Sequence, residues 1–321
     1  MSPNVIANAR NLAGVFLLAL LGGCALFIPQ TSQLHEAWPE GLPRRAELTS
    51  VPFFPQAEYQ CGPAALATVL AHAGADVTAA SLVSEVYLPG RRGSLQVEML
   101  ATPRRHDRIS YQLAPRFEDL LKEVASGVPV VVLQDYGVWP VRIWHYAVVV
   151  GYDQAGEVVL RSGTKPRLTM PLAILEYTWK ESGYWAMVAM PPDRIPATAT
   201  EDAYVAAVAA AARVGTPQAA RIAYSAVLRR WPGNLAAGIG EANADHALGD
   251  LAHAEAVLRS LVKRHPASAA VLNNLAQTLS DRGNHEEALA VIERAMVNPG
   301  PLSNAVSETR ETIRRRAGNR P

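Results

Sequence analysis

Hydrophobic positions along the chain fall into two regimes. From Val51 to Met190, short apolar runs alternate with turn residues, and beyond residue 200 the chain becomes rich in alanine at helical spacing. In the first regime Ala64–His72 is an apolar run of good helix formers stopped by Gly74, which predicts a helix. A second helix is predicted near Thr78–Tyr87 with Thr78 as its cap. A third runs from Leu95 to about Ala101 with Ser94 as its cap, after the loop Leu88-Pro89-Gly90-Arg91-Arg92-Gly93. Ile109–Leu113 reads as a strand, Arg116–Ser126 as a helix and the valine-rich Pro129–Gln134 as a buried strand. Trp144–Tyr152 and Glu157–Arg161, joined by a turn at Asp153–Gly156, carry a hairpin signature. Tyr184–Met190 closes the region as a strand. Helices first and mostly antiparallel strands afterwards define an α+β layout.

The second regime is periodic. Pro191-Pro192, Pro196 and Thr198–Thr200 mark a linker over 192–200, and a register of 34 residues follows it. Gly215, Gly249 and Gly283 align, as do Ala220, Ala254 and Ala288, then Tyr224, Leu258 and Ile292, then Pro232 and Pro266. Pro299 falls one place short of the third position. Glycine suits the inter-helix turn, alanine close helix packing and proline the helix end. With this period, residues 201–300 resemble tetratricopeptide repeats, which implies a stack with a concave face for a peptide or protein partner. The plain alternative is an alanine-rich helical bundle. The tail, 301–321, holds Arg310, Arg314, Arg315, Arg316 and Arg320 and is expected to fray as a solvated basic end.

Residues 1–24 read as a secretory leader: Arg10 supplies a positive start and Leu12–Leu21 an apolar stretch too short for a comfortable span. It ends in Leu21-Gly22-Gly23-Cys24, which resembles the bacterial lipobox. That resemblance implies cleavage before Cys24, its lipidation, and a stable membrane anchor. The alternatives are an uncleaved anchor or an ordinary leader. Ala25, where an aspartate would favour the inner membrane, points to the outer membrane facing the periplasm. Residues 25–50, with Pro29, Pro39 and Pro43, are expected to be a tether.

With 321 residues there is room for two domains, and a formal net charge of +1 gives no sign of a nucleic-acid partner. Cys24 and Cys61 are the only cysteines, so lipidation of Cys24 leaves Cys61 a free thiol. Cys61 stands where a loop becomes a helix. Unpaired N–H groups and the helix dipole there favour thiolate, so its pKa is expected to be lowered and Cys61 to be a nucleophile. A buried, inert cysteine is the alternative. His145 opens the apolar strand Trp144–Tyr152, where a rigid element holds an imidazole in place as a general base requires. Taken alone it could equally be a core histidine.

Together Gln56, Cys61-Gly62-Pro63-Ala64 and His145-Tyr146-Ala147-Val148-Val149-Val150-Gly151-Tyr152-Asp153 resemble the papain-like cysteine peptidases. More narrowly they are similar to the bacteriocin-processing, double-glycine-leader peptidase family, over about residues 50–190, which puts the peptidase-like domain at 51–191. The resemblance implies a papain-like α+β domain with Cys61 as nucleophile, His145 as base and Gln56 as oxyanion donor beside the Cys61 backbone N–H. A thiolate paired with imidazolium attacks a carbonyl, and preorganised donors stabilise the charge that develops. Gln60 is a rival for the oxyanion role but adjoins Cys61 directly. The chain departs from the family in one place. Where an aspartate or asparagine usually orients the histidine, the sequence reads Leu160-Arg161-Ser162-Gly163-Thr164. Ser162 stands there, and a hydroxyl accepts from imidazole without charge. Asp135 and Asp153 are the acidic residues nearest in sequence to His145 on either side of it, Asp153 as a turn residue.

His72 is expected at a helix end on the surface and His106 in a solvated basic patch; Trp139, Trp144, Trp179 and Trp185 are either groove or packing residues. No metal-ligand spacing or phosphate loop is found in the sequence, so no cofactor is expected. The leading expectation is a lipid-anchored envelope cysteine peptidase whose repeats recruit a protein partner or substrate. A non-catalytic adaptor is the second reading and an amidase or acyl transferase the third.

Overall fold

The computed structural model describes residues 28–138 and 140–318. The leader with Cys24, and likewise Trp139 and Arg320, lie outside the described residues. The chain forms two compact units, one of residues 28–102, 111–189 and 196–198, the other of 103–110, 190–195 and 199 onward.

The first unit is built on a seven-stranded sheet. Its elements are α1 (Pro29–Glu36), β1 (Arg45–Glu47), α2 (Cys61–His72), α3 (Ala79–Val86), α4 (Gln96–Arg105), β2 (Ile109–Gln112), α5 (Phe117–Ala125) and β3 (Val130–Asp135). Then come β4 (Trp144–Asp153), β5 (Glu157–Ser162), β6 (Lys165–Pro171), α6 (Leu172–Trp179) and β7 (Ala186–Met190). The strand order is β2-β7-β3-β4-β5-β6, with β1 paired to the end of β4. The β3–β4, β4–β5 and β5–β6 pairs are all antiparallel, as the α+β reading anticipated.

The helix α2 is the centre of this unit. Every residue from Gly62 to Leu70 is buried. A helix apolar all round has to be covered on all sides. One side lies on the sheet, where Leu66, Val69 and Leu70 join Val131, Leu133, Tyr146, Val148, Val150 and Met187 in one core. Burying each such side chain is worth about 1.5–3 kcal/mol. Gly62 permits the fit at the helix start, because a Cβ there would lie 2.6 Å from the Ser94 Cβ. The helices α5 and α6 cover strands of the same sheet, and Phe117 meets Trp179 edge to face at 5.6 Å.

Several elements differ from the sequence-based expectation. The helix α2 begins at Cys61 itself. Ser94 makes no capping bond, and α4 runs on to Arg105 with Pro103 inside it. Thr78 does cap α3, in a reciprocal pair with Ser81. Strand β6 and helix α6 occupy a stretch with no element predicted; the strand sequence Lys165–Pro171 is largely solvent-facing and lacks an apolar run. The expected tether is folded from Pro29 onward. The buried carboxylate of Glu176 on α6 accepts the otherwise unpaired N–H groups of Gln30 (2.9 Å) and Thr31 (2.6 Å), and β1 joins the sheet. Tyr184 donates its hydroxyl to the same carboxylate at 3.2 Å. Within the expected linker, buried Glu123 accepts the Ala197 and Thr198 N–H groups and the Thr198 hydroxyl. Burial pushes the Glu123 carboxyl up, against these bonds.

The second unit is a run of antiparallel helices, α7 (Glu201–Ala212), α8 (Pro217–Arg230), α9 (Leu235–Ala247), α10 (Leu251–Arg264), α11 (Ala269–Asp281), α12 (His285–Val297) and α13 (Ser303–Gly318). Asn234 and Asp250 cap α9 and α10 through their side chains. Gly249 and Gly283 turn the chain at φ +80° and +85°. The aligned Ala254, Ala288, Leu258 and Ile292 are all buried. The basic tail does not fray over 303–318. It forms α13, which buries Val306 and Ile313 against the last repeat while Arg314 reaches Glu293 at 3.1 Å and Arg316 pairs with Asp281. Among the described residues no helix is long and apolar enough to cross a membrane.

Two outcomes test this packing. Glu176→Ala leaves the α1 amides without their acceptor; the Thr31 amide should lose about tenfold or more of its protection in native-state hydrogen exchange, matching a cost of about 1–3 kcal/mol, while α2 amides keep theirs. Leu275→Ala, at 2% exposure in the repeat core, should cost about 2–5 kcal/mol, read as a lower urea midpoint for the repeat transition with m unchanged.

Candidate active site

Cys61 and His145 line one cleft of about 860 Å³, together with Gln56, Tyr59, Ser94, Trp144 and others. Cys61 comes to it on the first residue of α2, half-buried and free of any disulfide. His145 comes on the second residue of β4. The backbone N–H groups of Tyr146 and Gly62 face the sulfur, so the start of β4 and the start of α2 meet at this atom.

Behind the imidazole stands Ser162. Its Oγ lies 2.8 Å from His145 Nε2. Sheet register explains the meeting. β4 and β5 align Val148 with Arg161, which carries Ser162 opposite Ala147, two places along the strand from His145; such diagonal neighbours are within side-chain reach. With its proton on Nε2 and donated to Ser162, the ring presents the lone pair of Nδ1. No carboxylate takes Ser162's place. Asp135 is turned into its own loop, where Oδ1 accepts from Gly137 N–H (2.9 Å) and Ile143 N–H (2.8 Å) and Oδ2 pairs with Arg142 (2.6 Å). Asp153 accepts from Glu157 N–H in the β4–β5 turn.

Gln56 lines the cleft, and its backbone N–H donates to the Gly163 carbonyl at 3.2 Å, beside Ser162. Gln60 is the helix N-cap residue and is absent from the cleft lining. Of the other candidates, His72 bonds the Gly127 carbonyl at 3.1 Å and His106 does not reach the cleft. Trp179 and Trp185 are core, joined by a 2.7 Å bond from Trp179 Nε1 to the Trp185 carbonyl, whereas Trp144 stands half exposed in the cleft.

One residue of the site escaped the sequence reading. The Tyr136 ring stacks on the His145 imidazole, centroids 5.3 Å apart and planes at 28°. Its hydroxyl donates to Gln134 Oε1 at 3.0 Å, and buried Gln134 in turn donates to Thr178 Oγ1 at 2.8 Å. The signal was a tyrosine in the short loop before the histidine strand, but stacking depends on how that loop folds back. An aromatic face stabilises a cation above it, so Tyr136 favours the imidazolium form where no carboxylate does.

The electrostatics overturn the expected lowered thiol pKa. Burial pushes the Cys61 thiol up, outweighing the backbone N–H groups of Tyr146 and Gly62 that pull it down. Burial also holds the His145 imidazole down to about 4. Burial thus favours the uncharged form of each group. Among the described residues no hydrogen bond joins Cys61 to His145, and such contacts often tighten only with substrate in place.

The cysteine and the histidine thus share one cleft of an α+β domain that precedes a run of helices. Residues 48–186 match the sequence model of the Peptidase_C39 like family, and residues 246–297 match that of the tetratricopeptide repeat. Over those stretches the chain is similar to a peptidase-like domain followed by C-terminal repeats. No curated protein matches the chain.

The pH dependence follows from the sign of the imidazole shift. Below about 4 His145 is protonated and accepts no proton, so the His145-dependent part of Cys61 alkylation by iodoacetamide, read as wild type minus His145→Ala, should be lost there, not near the free-imidazole value of about 6.5. Ser162→Asp places an anion beside the ring. It should raise that acid limb by about one to three pH units and speed alkylation at neutral pH. An unchanged profile in this variant would show that Ser162 does not govern His145.

Proposed function

We propose that the protein is a lipid-anchored cysteine peptidase of the bacterial envelope. In this reading Cys61 attacks the carbonyl of a peptide bond as His145 Nδ1 takes the thiol proton. The oxyanion that forms is held by the Cys61 backbone N–H and the Gln56 side-chain amide. The imidazolium then returns its proton to the leaving amine, and a water deprotonated by His145 releases the acyl group. Ser162 holds the ring in the tautomer that leaves Nδ1 bare. The repeats recruit a protein substrate or partner, and Cys24 carries the anchor, on the periplasmic side of the outer membrane. The observation that supports this most is the convergence of the start of α2 and the start of β4 on the Cys61 sulfur within one cleft.

A second reading, a catalytically weak or inactive peptidase-like adaptor, is favoured by the same burial. A thiol pushed up and an imidazole pushed down form an ion pair at a cost, and no carboxylate repays it.

Labelling separates the two. A peptidyl vinyl sulfone or epoxide should modify Cys61 in the full chain under reducing conditions, and His145→Ala should slow that labelling. Cys61→Ala should lower peptide hydrolysis by about 10³-fold or more, and Gln56→Ala by about 10²–10³-fold. If the probe leaves Cys61 unmodified and Cys61→Ala behaves as wild type, the adaptor reading stands instead.

A further inference from the structure

The loop 88–93 forms one side of the cleft's mouth. It is closed by the backbone bond from Leu88 N–H to the Gly93 carbonyl at 2.8 Å, and a short 3₁₀ turn over Pro89–Arg91 lifts Arg91 and Arg92 to its tip. Both side chains line the cleft and both are exposed. Arg92 adopts a left-handed φ of +47°, and so does Tyr59 at +61°, two residues before Cys61. These two positions meet. The Arg92 guanidinium lies 5.6 Å from the centroid of the Tyr59 ring. Non-glycine residues held in this region are costly and cluster at ligand clamps.

Charge in the cleft is unbalanced. Glu181 is the only carboxylate among the described lining residues, and it is taken by Arg142 at 2.7 Å, which also binds Asp135. Arg91 and Arg92 pair with no carboxylate among the described residues. The other lining side chains with large exposed area are Ile143 at 55%, Trp144 and Tyr59 at 47% each and Leu95 at 37%, apolar apart from the Tyr59 hydroxyl. The cleft therefore offers two forked cationic donors with no carboxylate partner, Arg92 resting on the Tyr59 ring, and an apolar wall. A guanidinium binds a carboxylate through two parallel N–H bonds.

We infer that the cleft selects polypeptide segments bearing a carboxylate close to the bond presented to Cys61, held by Arg91 and Arg92, with an apolar side chain resting on Ile143 and Trp144. This substrate class rests on the peptidase reading above. The carboxylate is an Asp or Glu side chain or the C-terminus of the segment itself.

The test uses the full chain and short fluorescent peptides with one apolar anchor. Glu, Gln or Lys is placed at each position in turn, with the C-terminus free or amidated. Binding is measured by anisotropy with Cys61→Ala, and kcat/KM with wild type. Glu should exceed Gln by about tenfold at one or two adjacent positions, as a charge-assisted pair allows, and the gap should narrow as salt rises. If amidation alone removes the preference, the terminal carboxylate is the group bound. Arg91→Glu/Arg92→Glu should reverse the preference to Lys, with the melting temperature unchanged because both side chains are exposed. Equal binding of Glu, Gln and Lys peptides, no binding of any, or a preference that survives the double variant overturns the inference. Cleavage without acid preference sinks this inference and leaves the peptidase standing. Acid-selective binding with no cleavage by wild type does the opposite.

Discussion

The burial of α2 against the sheet is the constraint on which the first unit depends. This helix has no polar face, so it is stable only when enclosed, and the sheet supplies one wall through Val131, Tyr146, Val148 and Val150. Enclosure settles where its first residue lies. Packed at this depth, α2 brings the Cys61 sulfur to the start of β4, against the Tyr146 backbone N–H and in the same cleft as His145. The rest of the site is arranged around that meeting. The β4–β5 register brings Ser162 to the histidine, and the loop before β4 lays Tyr136 on its ring.

The same burial sets the chemistry. Helix N-terminal amides and the dipole draw a thiol towards its anion, but desolvation opposes any charge on either partner, and here it prevails for both. The groups that lower the cost are neutral too: a serine hydroxyl and an aromatic face in place of an anion. Buried carboxylates in this unit serve other ends. Glu176 holds the N-terminal helix, Glu123 holds residues 197 and 198, and Asp135 shapes the loop beside the cleft.

The repeats follow a simpler rule. Small residues let helices approach, large apolar ones fill the space between them, and capping side chains start α8, α9, α10 and α11. An exposed last helix would leave an apolar face open, and α13 closes it with Val306 and Ile313 while its arginines face acidic groups of the preceding helices. Charge count misread this segment because the two apolar residues that seat it are seven apart, two helical turns, in an otherwise polar run.

Much of this was legible along the chain. The apolar run after Cys61, the valine-rich strands, the hairpin at Asp153–Gly156 and the 34-residue register each declare themselves by local pattern, which is why the class of both units could be read directly. The pairing of His145 with Ser162 was indicated only through family resemblance. What local pattern could not contain was the consequence of distance. Glu176 and Thr31 lie 145 residues apart, so the folding of the N-terminal segment was hidden. The rise of the Cys61 thiol depends on how much protein surrounds it, and the stacking of Tyr136 on how a loop returns. Local pattern placed Cys61 at the start of a helix and His145 at the start of a strand. Tertiary packing decided their charge states and their neighbours, because desolvation and side-chain contact exist only once remote segments have met.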